Sequence, residues 1–125
     1  MNIRLELVST EGPLPTSTYD AYDGDVKIGM AQLRHKEAGN PTLPENMRSH
    51  VYYEVEPAYQ GKGYGTKILE LIKNEAKLLG MHELFLTAFD TNIGSNKIIQ
   101  KNGGEYLWDY INPEGKRLLK YKISL

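Results

Sequence analysis

Cysteine is absent from the 125 residues, which excludes a disulfide framework, a thiol nucleophile and thiolate metal sites. Histidine is scarce: His35, His50 and His82 show no ligand spacing, so no metal is expected. Neither sign of charge is in excess. Fifteen Lys and Arg against 16 Asp and Glu leave a formal charge of −1 and a pI near 6.3, so no basic stripe points to nucleic acid. Long apolar runs are missing as well. The start, Met1-Asn2-Ile3-Arg4-Leu5-Glu6-Leu7, alternates polar with apolar and lacks the hydrophobic region of a signal peptide. No window approaches a membrane span. The expectation is a cytoplasmic protein with no membrane and no nucleic-acid partner. Without a linker or repeat, residues 1–125 read as one domain, long enough to bury about two thirds of its unfolded surface.

What is present is glycine, concentrated in Gln60-Gly61-Lys62-Gly63-Tyr64-Gly65-Thr66. This stretch joins a strand-like run, His50 to Glu56, to a helix-like run, Thr66 to Leu79. Glycines at alternate positions let the backbone turn sharply and expose successive N–H groups, and the helix start adds unpaired donors and a positive dipole end. The loop therefore reads as a phosphate cradle. A dinucleotide fingerprint would need a glycine where Thr66 stands, and a P-loop would need Gly-Lys-Ser/Thr at its end, so both are excluded.

Along the chain, residues 2 to 8 alternate as a half-buried strand ended by Glu11-Gly12-Pro13-Leu14-Pro15. Thr18 to Tyr22 and Val26 to Arg34 flank Asp23-Gly24-Asp25 as a hairpin, with Ile28, Met30 and Gln32 on one face. Lys36 to Ser49, with Gly39, Pro41 and Pro44, reads as a loop. In the helix, Ile68, Leu71, Ile72, Ala76 and Leu79 recur at three-to-four spacing before Gly80. Leu84-Phe85-Leu86 with Ala88, inside a strand from Glu83 to Phe89, predicts a central strand covered on both sides. Ser95 to Asn102 predicts a second helix capped by Gly103. Glu105 to Ile111 and Lys116 to Leu125 predict a closing hairpin around Asn112-Pro113-Glu114-Gly115.

Gln60, Gly63 and Gly65 match the Gln/Arg-x-x-Gly-x-Gly/Ala acetyl-CoA loop of the GNAT superfamily of N-acetyltransferases. Upstream, Tyr53-Glu54-Val55-Glu56-Pro57 is similar to that family's strand ending in Val-x-Pro. Downstream, Asn92 through Gly104 resembles its Asn-x-x-Ala/Ser segment closing on Lys-x-Gly. The resemblance covers roughly residues 50 to 125. It implies an α/β chain with the GNAT (acyl-CoA N-acyltransferase) fold, a mixed, mostly antiparallel sheet. The N-terminal half is shortened: the two helices that usually follow the first strand have no room in Ser9 to Ser17.

The resemblance further implies acetyl-CoA as cosubstrate, its pyrophosphate on Gln60, Gly61, Lys62, Gly63, Tyr64, Gly65 and Thr66. Tyr53, Glu54 and Val55 would offer backbone groups to the pantetheine and the acetyl carbonyl. Asn92 would bond the pantetheine arm or cap the second helix, and Ser95 would join it or simply start that helix. The reaction implied is direct attack by the primary amine of a small molecule or peptide. Holding a lysine-like amine deprotonated at neutral pH costs roughly 4–5 kcal/mol, so a base is needed. Glu54 is the first candidate, with Glu56 or His50 as alternatives. Family members commonly carry a tyrosine where this chain has Ile99 and a phenylalanine where it has Gly104. The missing hydroxyl leaves a second reading, a non-catalytic acetyl-CoA or CoA-binding sensor or partner module. The short front half implies an open acceptor side, closed by a homodimer or filled by a large acceptor, with Leu14, Met30 and Met47 near the surface.

Overall fold

The computed structural model describes residues 2–10, 16–34 and 49–125. The expectations for residues 11–15 and for the loop at 36–48, including Leu14 and Met47, lie outside the described residues. The described elements run β1 (Ile3–Ser9), β2 (Thr16–Asp23), β3 (Val26–Arg34), β4 (Val51–Val55), a 3-10 turn (Pro57–Tyr59), α1 (Tyr64–Leu78), β5 (Glu83–Phe89), α2 (Ile93–Lys101), β6 (Glu105–Ile111) and β7 (Arg117–Ser124). Between β1 and β2 stand residues 10–15 alone, too few for two helices, as the shortened front half requires.

Strands β1 to β4 form an antiparallel sheet in chain order, and β5, β7 and β6 form a second in the order β5-β7-β6. A bracket at the base of β4 joins the two. The His50 N–H donates to the Phe85 carbonyl at 2.7 Å, and the Phe85 N–H donates to His50 Nδ1 at 2.9 Å. No ladder continues from there between β4 and β5, and the gap becomes a cleft.

Helix α1 covers the inner faces. Ile68, Leu69, Ile72 and Ala76 are buried against Ala21, Ala31, Leu33, Leu84 and Leu86. Leu69 takes the place expected of Leu79, which is 49% exposed, because the stripe turns with the 3.6-residue period toward the sheet. Burying Ile68, Leu69 and Ile72 contributes roughly 5–9 kcal/mol before entropy. That exceeds the ~1 kcal/mol of a missing cap, so α1 can leave its N-terminus open.

Two burial expectations are corrected. On β3 Ile28 of the expected face is buried, but so are Gly29, Ala31 and Leu33 of the opposite row, while Met30 and Gln32 are half-buried. Gly29 has no side chain because the β4 backbone crowds it: a Cβ there would meet the Glu54 carbonyl. On β5, Leu84, Leu86 and Ala88 are buried but Phe85 is half-buried and Phe89 is 40% exposed. The strand therefore has one covered face, since the described helices pack on one side of its sheet.

Candidate functional site

The chain enters the loop from β4 through a turn begun by Pro57. Gly61 and Gly63 then adopt left-handed φ of 75° and 86°, where side chains are disfavoured. Gly63 is itself the N-cap of α1 and no side chain caps that helix. The helix thus begins two residues earlier than expected and presents its first N–H groups to the cleft. Gly65 serves a different need: a Cβ there would meet Ile98 Cδ1 at 2.7 Å, so its absence lets the start of α1 approach Ile98 in the second half of α2. Gln60 donates from Nε2 to the Val55 carbonyl at 2.9 Å, closing the loop back onto β4. Tyr64 donates to Asp23 Oδ2 at 2.6 Å, and this bond holds the Asp23 carboxyl below its usual range.

Helix α2 starts differently. Asn92 caps it, accepting from the Ser95 N–H at 3.1 Å. Of the two roles open to Asn92, the cap is the one its side chain performs here. Ser95 is a full turn member whose Oγ lies 3.0 Å from the Tyr53 hydroxyl. The ends of both helices are tied by Asn102, buried, which donates to the Thr66 carbonyl at 3.1 Å and accepts from Lys73 at 2.9 Å.

These elements enclose a cleft of about 1110 Å³. It is lined by Tyr53, Glu54, Val55, Glu56, Gln60, Gly61, Gly63, Tyr64, Gly65, Thr66, Asn92 and Ser95. Lys62, exposed, is the one expected loop residue that does not line it. His50 does not line it either. It is buried in the bracket with Nδ1 already accepting from Phe85, which leaves that nitrogen no role as a base.

The strand edge sorts the expected backbone contacts. The Arg34 N–H donates to the His50 carbonyl and the Glu56 N–H to Ile28, so even-numbered β4 residues turn their peptide groups toward β3. Tyr53 and Val55 turn theirs to the cleft edge, with the Val55 carbonyl met by Gln60. The Glu54 peptide belongs to the β3 side, and a Cβ on Gly29 would collide with its carbonyl. What Glu54 offers the cleft is its exposed carboxylate, to which Tyr52 donates. That bond pushes the Tyr52 hydroxyl up.

Gly29, Met30, Lys27, Lys97, Ile98 and Lys101 also line the cleft and were not anticipated. For α2 a signal existed: Gly94, Lys97, Ile98 and Lys101 follow the i, i+3, i+4, i+7 spacing of one helix face. For Lys27 and Gly29 there was none, because strand pairing brings them there. Lys27 is also paired with Asp20 at 3.3 Å. Two left-handed glycines, an uncapped helix start and lysines along the facing helix fit a ligand bearing several phosphates.

A sequence profile described as the Acetyltransferase (GNAT) family matches residues 4–103. The chain belongs to this family. As a GNAT acetyltransferase it uses acetyl-CoA as cosubstrate. Solved structures share the fold. The IAA acetyltransferase from Bacillus cereus ATCC 14579 superposes with a TM-score of 0.71 at 19% identity, over 98% of this chain and 99% of that one. A spermidine N-acetyltransferase SpeG chimera from Vibrio cholerae and hSSAT gives 0.75 at 12%, over 99% and 96%. The yncA acetyltransferase from Salmonella typhimurium, solved with its cofactor acetyl-CoA, gives 0.67 at 19%, over 88% and 65%. In sequence, the decapping nuclease RAI1 of Debaryomyces hansenii is 28% identical over 115 residues, 83% of this chain. The chain spans 30% of that curated protein's length. No group of three or more His, Cys, Asp or Glu residues that could hold a metal ion occurs among the described residues. No helix among the described residues is long and apolar enough to cross a membrane.

Proposed function

We propose that this GNAT domain transfers the acetyl group of acetyl-CoA to the primary amine of a small molecule or peptide by direct attack, in the cytoplasm. The observation that carries the reading is the asymmetry of the two helix starts on one cleft. Asn92 caps α2, whereas α1 opens uncapped behind two left-handed glycines. Residues 61 to 66 would hold the pyrophosphate, and the cleft edges of Tyr53 and Val55 the pantetheine. Acetyl-CoA supplies the activated acyl group. The chain's own residues position it, keep it against β4 and supply a base.

Glu54 is that base in this reading. Its carboxylate is solvated, lines the cleft and is oriented by Tyr52, and Glu56 is the other carboxylate within the walls. The short link between β1 and β2 leaves the acceptor side to a second copy of the chain or to a bulky acceptor. Concave burial supplies most small-ligand affinity, and this chain contributes one wall fewer.

One observation favours the non-catalytic reading instead. Ile99 is 1% exposed and packed so that a Cβ on Gly104 would collide with it, so an aliphatic core side chain stands where family members commonly carry a tyrosine. Calorimetric titration with acetyl-CoA, followed by thiol release with a panel of amines and peptides, separates the two. Binding without turnover of any amine would leave the sensor; no binding would remove both.

A further inference from the structure

The cleft walls carry hydroxyls on Tyr53, Tyr59, Tyr64, Thr66 and Ser95. That of Tyr64 is donated to Asp23. Tyr53 and Ser95 instead meet each other, 3.0 Å apart, at the first turn of α2. The Tyr53 ring lies between the helix starts, since a Cβ on Gly65 would meet its Cε2 at 3.7 Å. Ser95 is fixed from below, because its N–H is taken by the Asn92 cap.

We propose that Tyr53, held by Ser95, donates a hydrogen bond to the sulfur as the thioester C–S bond breaks. The inference rests on the acetyl-transfer reading. In that reaction the amine nitrogen bonds the acetyl carbon, the C–S bond breaks and its electron pair leaves on sulfur. The proton lost by the amine goes to Glu54 or water. Either hydroxyl can donate across that 3.0 Å contact; when Ser95 donates to the phenolic oxygen, the Tyr53 proton is left for the cleft. Proton affinities define the role. A thiol titrates near ~8.5 and a phenol near ~10, so the proton stays on the phenol and the thiolate takes its own from solvent. Burial pushes the Tyr53 hydroxyl above its ordinary value of 10.0, which keeps the donor protonated across the neutral range.

The test follows the thiol of bound CoA by thiolate absorbance against pH in the wild type, Tyr53→Phe and Ser95→Ala. Calorimetry with acetyl-CoA and single-turnover acetyl transfer accompany it. The bound thiol should titrate about one unit lower in the wild type than in Tyr53→Phe, with Ser95→Ala between them. Acetyl-CoA affinity should change less than about threefold while the transfer rate falls about 10- to 100-fold, the loss of one hydrogen bond to a developing charge. Identical thiol titrations in wild type and Tyr53→Phe would overturn the proposal, as would rate and affinity falling together. If Tyr53→Phe does not fold, an unshifted titration in Ser95→Ala overturns it equally. Failure of wild type to bind CoA would instead remove the acetyl-transfer reading, and the role of Tyr53 with it.

Discussion

Replacing His50 by alanine removes the imidazole that receives the Phe85 N–H across the seam between the two sheets. The backbone half of the bracket, His50 N–H to the Phe85 carbonyl, survives the change. The Phe85 donor is orphaned, at about 1–3 kcal/mol. The ring also stacks on Phe85 with centroids 5.8 Å apart and planes inclined by 23°, a contact worth about 0.5–1.5 kcal/mol. Together the loss is roughly 2–4 kcal/mol. Unfolding entropy of about 2.1 cal/mol/K per residue gives about 0.26 kcal/mol/K for this chain, so the melting temperature should fall roughly 8–15 °C. His50→Asn, whose amide oxygen can accept, should recover part of the fall. Calorimetric or circular-dichroism melts of the three proteins measure this directly, and transfer rates measured at low temperature accompany them. A melting temperature for His50→Ala within about 2 °C of wild type would refute the bracket. Loss of turnover in a stably folded His50→Asn would restore the histidine as a candidate base.

Gly63→Val should weaken acetyl-CoA binding by at least about tenfold with the far-ultraviolet spectrum retained, since a branched residue at φ 86° carries about 1–3 kcal/mol of strain. Unchanged affinity by calorimetry would sink the cradle. Glu54→Gln should depress transfer about 10²-fold at neutral pH and recover at high pH, where free amine is abundant; a loss uniform across pH would mark the carboxylate as structural. Asp23, held below its ordinary pKa of 3.8 by Tyr64 and the Asn2 N–H, contributes stability that is complete above that value and lost as pH falls through the lowered one. Tyr64→Phe should therefore flatten the acid limb of stability against pH, and an unaltered limb in urea titrations from pH 5 to about 2 would contradict it.

Strands, turns and helices could be read from the sequence to within about two residues because alternation and the 3.6-residue stripe are local properties. The differences have local causes too. Thr66 looked like the start of α1 because glycines read as loop, yet Gly63 caps the helix and Tyr64 and Gly65 belong to its first turn. The glycine turn was readable since the left-handed φ of Gly61 and Gly63 is a property of consecutive residues. The bracket was not, because nothing in the spacing of His50 and Phe85 signals that one accepts from the other's peptide. The same holds for Lys27 and Gly29, delivered to the cleft by pairing with β2 and β4. Tyr53 was one of several tyrosines whose hydroxyl could replace the one missing at Ile99, and Ser95 opposite it singles it out.

If the proposed cradle holds, the open start of α1 would make the cosubstrate a partner in folding as well as in chemistry. Donors that no side chain satisfies are satisfied when an anion arrives, so occupancy and folding draw on the same groups. By mass action, free ligand at a hundredfold over its dissociation constant adds about 2.7 kcal/mol to stability. Against the roughly 5–15 kcal/mol of net stability usual for a domain that increment is substantial, and in the proposed reading the supply of acetyl-CoA would govern the lifetime of the chain in the cell along with its rate of turnover.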